Sequence, residues 1–169
     1  APYAHKFLYN RAGYVICMSA TIIDPKSFCW SVGIPYKEAK VISHESPFDS
    51  ENRKTHYWPQ GKMSRKHIDK TLPRMADAVE TIMNLYPDEK GIIHAHTYRI
   101  SNFIENHIDN DRLLFHDSGD RELILEEHIM GEKPTVLVSP SMTEGVDLKD
   151  DLARWQILCK VPYPYLGDP

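Results

Sequence analysis

The most constraining feature of this sequence is an alternation of strand and helix patterns that runs from residue 91 to residue 161. Short apolar runs lie at 91–96, 113–115, 135–139 and 156–161, and amphipathic helix patterns separate the first three. A strand buried on both faces reads as a continuous apolar run, and strands that alternate with helices form parallel sheets. The sequence therefore predicts an α/β fold, with a parallel sheet and helices on both faces.

Other elements are predicted before residue 91. The apolar run 14–18 predicts a buried strand, and Asp24-Pro25 predicts a helix start that leads to a stop near Gly33. A longer helix is predicted over 64–86, broken near Pro73 because proline lacks the N–H that a helix interior needs. Two further short strands are predicted at 39–43 and 55–58.

Composition limits the classes of function. The 169 residues carry a net charge of −4, so nucleic acid would be bound through a local stripe or as part of a larger protein, and not by overall charge. Three cysteines, Cys17, Cys29 and Cys159, fit no zinc spacing and are expected to be reduced and mostly buried, which predicts a cytoplasmic protein. No apolar run reaches membrane-spanning length, and no signal peptide pattern opens the sequence.

Ligands of open α/β sheets bind at the carboxyl ends of the strands, so the segments that follow the strands are where chemistry is expected. Five segments there and nearby carry motifs: 18–22 (MSATI), 46–49 (SPFD), 91–99 (GIIHAHTYR), 139–148 (SPSMTEGVDL) and 160–169 (KVPYPYLGDP). Singly each motif is weak. Together and in this order they resemble the XPD/DinG family of superfamily 2 DNA helicases.

The resemblance implies a RecA-like fold of the P-loop NTPase type, specifically the second RecA-like domain of a helicase motor. It divides the chain into residues 1–24, the end of the first motor domain and a connector, and residues 25–169, a helicase C-terminal domain truncated before motif VI. The motor as a whole would couple ATP hydrolysis to movement along single-stranded DNA, with 5′→3′ polarity.

The resemblance also implies roles for individual residues. Glu144 and Asp147 would act in catalysis and, with Gly145, would lie nearest the nucleotide. Single-stranded DNA would be bound through its backbone by Thr97, Ser101, Ser139 and Ser141, because hydroxyls and helix N-terminal amides donate to phosphate oxygens. Ser19 and Thr21 would couple the nucleotide site to the moving interface. No metal ligands are expected in this chain.

Two motifs of such a motor are absent from the sequence. There is no G-x-x-x-x-G-K-[ST] phosphate loop and no Q-x-x-G-R arginine motif. The resemblance places ATP and Mg²⁺ binding largely in a first RecA-like domain of the same parent chain, which becomes the expected partner together with single-stranded DNA. By itself this chain is expected to be inactive.

Several alternatives stay open. Thr97 and Ser101 could simply cap a helix, Glu144 and Asp147 could be solvated loop acids, and 19–21 could be only a strand-end turn. A RecA-like module could bind nucleic acid or protein without catalysis. His94 and His96 have the spacing of zinc ligands, which would indicate a metal-dependent hydrolase. The basic and aromatic stretch 53–66 could bind single-stranded DNA or be a solvated connector.

Overall fold

The computed structural model describes residues 2–19, 22–47, 49–141 and 146–161. It divides the chain into two compact units, Ala1–His56 and Tyr57–Pro169. These units follow compactness alone, so the division into 1–24 and 25–169 stays a prediction. No helix in the described ranges is both long and apolar enough to cross a membrane.

The first unit is built from two α-helices, α1 (Pro2–Phe7) and α2 (Pro25–Val32), with short 3-10 helices at Tyr9–Arg11, Tyr36–Glu38 and Ser50–Arg53. The carboxylate of Asp24 caps α2 by accepting from the amides of Lys26 and Ser27, and it also accepts from the Ser27 hydroxyl. The hydrogen bond from the Ser27 hydroxyl, followed by those from the two amides, lowers the pKa of Asp24. Gly33 ends the helix in the left-handed region at φ 78°. The predicted start and stop of this helix are confirmed.

The three strands predicted in this part of the chain are wrong. Residues 14–18, 39–43 and 55–58 have no strand structure, and Tyr14 is 95 % exposed. A strand needs hydrogen-bond partners on a neighbouring strand, and the described residues of the first unit contain no strand. Cys17 is consequently exposed, whereas Cys29 is buried and Cys159 lies between these extremes, so the expectation of mostly buried cysteines fails at Cys17.

The second unit contains the predicted parallel sheet. Its strands are β1 (Gly91–His94), β2 (Leu113–Phe115), β3 (Val136–Ser139) and β4 (Trp155–Leu158), and they lie in the order β2-β3-β1-β4 with every pair parallel. The helices are α3 (Ile68–Leu85), α4 (Tyr98–His107) and α5 (Arg121–Met130), and a 3-10 helix at Asp150–Leu152 precedes β4.

Helices cover both faces of this sheet. Successive residues of a strand point to opposite faces, so neighbouring residues pack on different helices. Ile93 packs with α3 and α4 in one apolar cluster, whereas its neighbour Ile92 packs with Leu137 and with Ile124 and Leu125 of α5 in another. The loop between β3 and β4 adds Val146 and Leu148 to that second cluster. The predicted α/β fold, with a parallel sheet and helices on both faces, is confirmed.

Helix α3 begins at Ile68, later than the predicted start at residue 64, and it continues through Pro73 without the predicted break. Proline removes one main-chain hydrogen bond, to the carbonyl of Asp69 one turn earlier, and neither residue is buried. Burial of Leu72, Met75 and Ala76 on the sheet side of the helix outweighs that single loss.

Candidate nucleic-acid interface

The carboxyl ends of β1, β3 and β4 form one edge of the sheet. His94 of β1 is paired with Ser139 of β3 and with Leu158 of β4. Beyond the strands the Ala95 amide donates to the Ser139 carbonyl at 2.8 Å, and the Cys159 amide donates to the His94 carbonyl at 3.1 Å. The segments predicted to contact nucleic acid therefore leave the sheet at the same edge.

Thr97 lies in the turn from β1 to α4 and is the N-cap of the helix. Its backbone is extended, and its hydroxyl oxygen accepts from the Ile100 amide at 3.3 Å. The hydroxyl hydrogen stays available for donation, and the first amides of a helix have no partner within the helix. Capping and contact with an anion are thus compatible at Thr97.

Ser139 takes part in a buried hydrogen-bond network at the end of β3. Its hydroxyl lies 3.0 Å from His116 Nε2, and the other ring nitrogen, Nδ1, lies 3.0 Å from the Asp117 carbonyl. Because a carbonyl only accepts, a neutral His116 carries its hydrogen on Nδ1, and Nε2 accepts from Ser139. The Ser139 oxygen in turn accepts from the Ser141 amide at 3.3 Å. Ser139 thereby fixes the start of the loop that follows β3.

The four predicted DNA-contacting residues differ in accessibility. Ser139 is 2 % exposed and Ser101 is 3 % exposed, whereas Ser141 is exposed and Thr97 is intermediate. Ser141 and Thr97 are therefore the hydroxyls that a strand of nucleic acid could reach directly. The assignment of all four stays a prediction.

His96, directly before Thr97, has an unusual backbone. Its φ is 58°, a left-handed conformation that a residue with a side chain seldom adopts. Its ring stacks on that of His94 with centroids 6.0 Å apart, and its Nε2 is buried with no hydrogen-bond partner. Burial lowers the pKa of His96, as do the nearby charges of His94 and Lys160.

This histidine pair is also the proposed metal site of the hydrolase alternative. In the ranges that the structure describes, no group of three or more His, Cys, Asp or Glu side chains could hold a metal ion. Burial raises the pKa of the neighbouring Cys159 to about 12, so its thiol stays protonated at neutral pH. Nothing in this geometry adds a third ligand to the two rings.

The predicted nucleotide-contacting and coupling residues are placed only in part. Asp147 is exposed and forms an ion pair with Lys149 at 3.1 Å. Ser19 is exposed in the first unit. Glu144, Gly145 and Thr21 lie outside the described residues. The structure therefore brings Thr97, Ser101, Ser139 and Ser141 to one edge of the sheet and leaves the rest of the predicted site as prediction.

A groove of about 270 Å³ runs along α4 beside this edge. Three rings line it, those of Tyr98, Phe115 and His116. It is also lined by three carboxylates and two uncharged polar side chains, namely Glu105, Asp117, Asp120, Ser101 and Asn102. A larger cleft of about 400 Å³ lies at the opposite edge, where the strands begin, and its lining includes Lys90, Lys133 and Arg154.

Sequence reasoning missed most of the groove. Tyr98, Asn102 and Glu105 recur at helical spacing, which places them on one side of α4. That spacing could have indicated the groove, but the predicted contacts were the hydroxyl residues alone. The ring of His116 could not have been placed, because its partner Ser139 lies 23 residues away in the sequence.

The all-parallel sheet with helices on both faces is the arrangement expected of a RecA-like helicase C-terminal domain. The model of the helicase C-terminal domain matches residues 79–169, more than half of the chain. The chain therefore belongs to the helicase C-terminal domain family. Comparison with curated proteins and with solved structures gave no match.

Proposed function

We propose that this chain is the second half of an ATP-dependent DNA helicase motor of the XPD/DinG type. In this role it binds the backbone of single-stranded DNA at the carboxyl edge of its sheet and completes a nucleotide cleft with the first RecA-like domain of the parent protein. The membership of the helicase C-terminal domain family supports the motor role. The DNA specificity rests on the motifs of the sequence.

The observation that carries the proposal is the placement of Thr97 and Ser141 after adjacent, paired strands. The pairing of His94 with Ser139 brings both turns to one edge of the sheet. Thr97 also caps α4, whose ten residues give its N-terminus a positive partial charge that favours an anion. Hydroxyl donors beside free helix amides form a surface that suits successive phosphates of a strand.

Asp147 is the described residue that supports the nucleotide side of the proposal. Its carboxylate is exposed and its partner Lys149 is exposed too, so a domain closing over the loop can replace that ion pair without breaking a buried contact. Glu144 and Gly145 would complete this loop. ATP is the substrate, and the Mg²⁺ ligands are assigned to the first RecA-like domain of the parent protein, where the family resemblance places them.

Ser19 and Thr21 would transmit closure of the cleft to the connector. The apolar run 14–18 is exposed in the described first unit, and an exposed apolar surface of this kind suits contact with a partner domain. Because the sequence contains neither the phosphate loop nor the arginine motif, the chain alone is expected to hydrolyse no ATP.

Substitutions of Thr97 separate DNA contact from helix capping. Asparagine and aspartate both cap helices at least as well as threonine, so Thr97→Asn and Thr97→Asp should keep α4 intact. Aspartate adds a negative charge where a phosphate is expected, so Thr97→Asp should weaken binding of a thymine oligonucleotide roughly tenfold. Fluorescence anisotropy at low salt measures the affinity, with Thr97→Asn as the matched control.

Thermal melting of both variants checks that the cap is retained. Equal affinity of the aspartate and asparagine variants for the oligonucleotide would show that Thr97 does not contact the DNA. Absence of any binding by the unchanged chain, at salt low enough for phosphate contacts to form, would contradict the DNA-binding function itself.

A further inference from the structure

We propose that the groove along α4 binds one base of the DNA strand, and that it prefers a base with an exocyclic amino group. The inference rests on the proposed function, because the strand that crosses Thr97 supplies the base. Tyr98 follows Thr97 directly in the chain and lines the groove. The groove therefore begins where the proposed phosphate contact ends.

The charge of the groove decides between a base and a phosphate. Its lining contains no lysine or arginine, and it contains the carboxylates of Glu105, Asp117 and Asp120. Carboxylates repel a phosphate. Thr97, the N-cap of α4 at which the phosphate is proposed to bind, does not line the groove. A strand bound at Thr97 would thus turn its phosphate toward the helix cap and its base into the groove.

Tyr98 supplies the surface for stacking. It is 45 % exposed, so one part of its ring is open to a ligand while the remainder packs on the protein. His116 is only 6 % exposed and is held at both ring nitrogens by Ser139 and Asp117, so it gives the groove a rigid lining and no stacking face. Aromatic side chains of this kind stack on any base, which gives affinity without selectivity.

Selectivity follows from the hydrogen-bonding groups that remain. Asp117 and Asp120 each use an oxygen within their own turn, where Asp117 accepts from the Gly119 amide at 2.5 Å and Asp120 accepts from the Asp117 amide at 2.8 Å. Glu105 is exposed and has no hydrogen bond or ion pair within the described residues. A carboxylate accepts only, so it favours the amino group of cytosine or adenine over the carbonyl of thymine.

Oligonucleotides of cytosine and thymine with equal length test the preference, because the two pyrimidines have the same ring size and backbone. Anisotropy titrations of the whole chain should give roughly threefold to tenfold tighter binding of the cytosine strand. This is the range of one ordinary hydrogen bond, because Glu105 is exposed to water. Glu105→Gln should abolish most of that preference. Tyr98→Ala should weaken the binding of both strands, whereas Tyr98→Phe, which keeps an aromatic ring, should retain it.

Glu80→Gln is the matched control, since it removes the same charge from an exposed position of α3 outside the groove. It should raise the affinity for both strands equally and keep their ratio. Equal affinity for both strands would overturn the base-pocket proposal, while the DNA-binding function would stand. The groove, with its three carboxylates, would then suit a basic side chain of a protein instead of a base. Failure of both strands to bind would instead overturn the proposed function.

Discussion

Replacement of Arg112 by methionine is expected to lower the free energy of unfolding by about 3 kcal/mol. The Arg112 guanidinium donates to four carbonyls, those of Pro134, Met83, Tyr86 and Glu89, at distances of 2.7 to 3.1 Å. Three of them lie at the end of α3 and in the turn that follows, where helix carbonyls lack partners in the helix. Methionine keeps much of the side-chain volume and removes the guanidinium from all four carbonyls. The Met83 and Tyr86 carbonyls then keep only long main-chain hydrogen bonds of 3.3 and 3.4 Å.

Denaturant unfolding followed by circular dichroism measures this effect. Arg99→Met is the matched control, because Arg99 also carries a guanidinium and forms an ion pair with Asp69 at the surface. Its loss should cost no more than about 1 kcal/mol. Arg112→Lys should lie close to Arg112→Met, since an ammonium lacks the planar array of donors that reaches several carbonyls at once. A similar small loss for Arg112→Met and Arg99→Met would show that the four contacts contribute little.

Acidification is expected to destabilise the second unit through His128. This residue is fully buried on α5, with Nε2 2.8 Å from the Leu152 carbonyl and Nδ1 2.8 Å from the Thr135 hydroxyl. The carbonyl requires a hydrogen on Nε2, so Nδ1 accepts from Thr135 and the ring is neutral. Burial lowers the pKa of His128 in the folded protein, and the nearby charge of Lys90 lowers it further.

As pH falls, the unfolded chain therefore binds the His128 proton before the folded chain does. The contribution of His128 to stability is complete above its ordinary pKa of about 6.5 and decreases below it, by up to about 1.4 kcal/mol per pH unit. Unfolding free energies of the wild type and of His128→Gln, measured from about pH 5 to about pH 8, isolate this residue from the other histidines. Their difference should shrink with acidification. A difference that is constant across this range would contradict the account.

The part of the fold that could be predicted from sequence is the part whose elements pack only on one another. The runs around Ile92 and Val138 are apolar because both faces of the sheet are covered, and the helices between them show their buried faces by spacing. The run 14–18 has the same apolar signature but finds no neighbouring strand in the described first unit. The apolar pattern of a segment indicates that it can be buried, but it forms a buried strand only where a neighbouring strand is present.

The position of the candidate site could be predicted from the sequence, but its hydrogen bonds could not. Topology alone places the turns at Thr97 and Ser141 at one edge, because parallel strands present their carboxyl ends together. The hydrogen bonds from Arg112 to Met83, between His116 and Ser139, and between His128 and Thr135 join residues 7 to 29 positions apart. Single-sequence patterns carry no record of such pairs. These networks hold the loops that the motifs only mark.

We propose that single-stranded nucleic acid binds at the carboxyl edge of the sheet. Amide chemical shifts of the labelled chain, recorded by NMR during titration with a thymine oligonucleotide, test it most directly. The account predicts that the largest changes fall at 95–101, 116–120 and 139–141. Changes confined to the opposite edge, around Lys90, Lys133 and Arg154, or no changes at all, would contradict it.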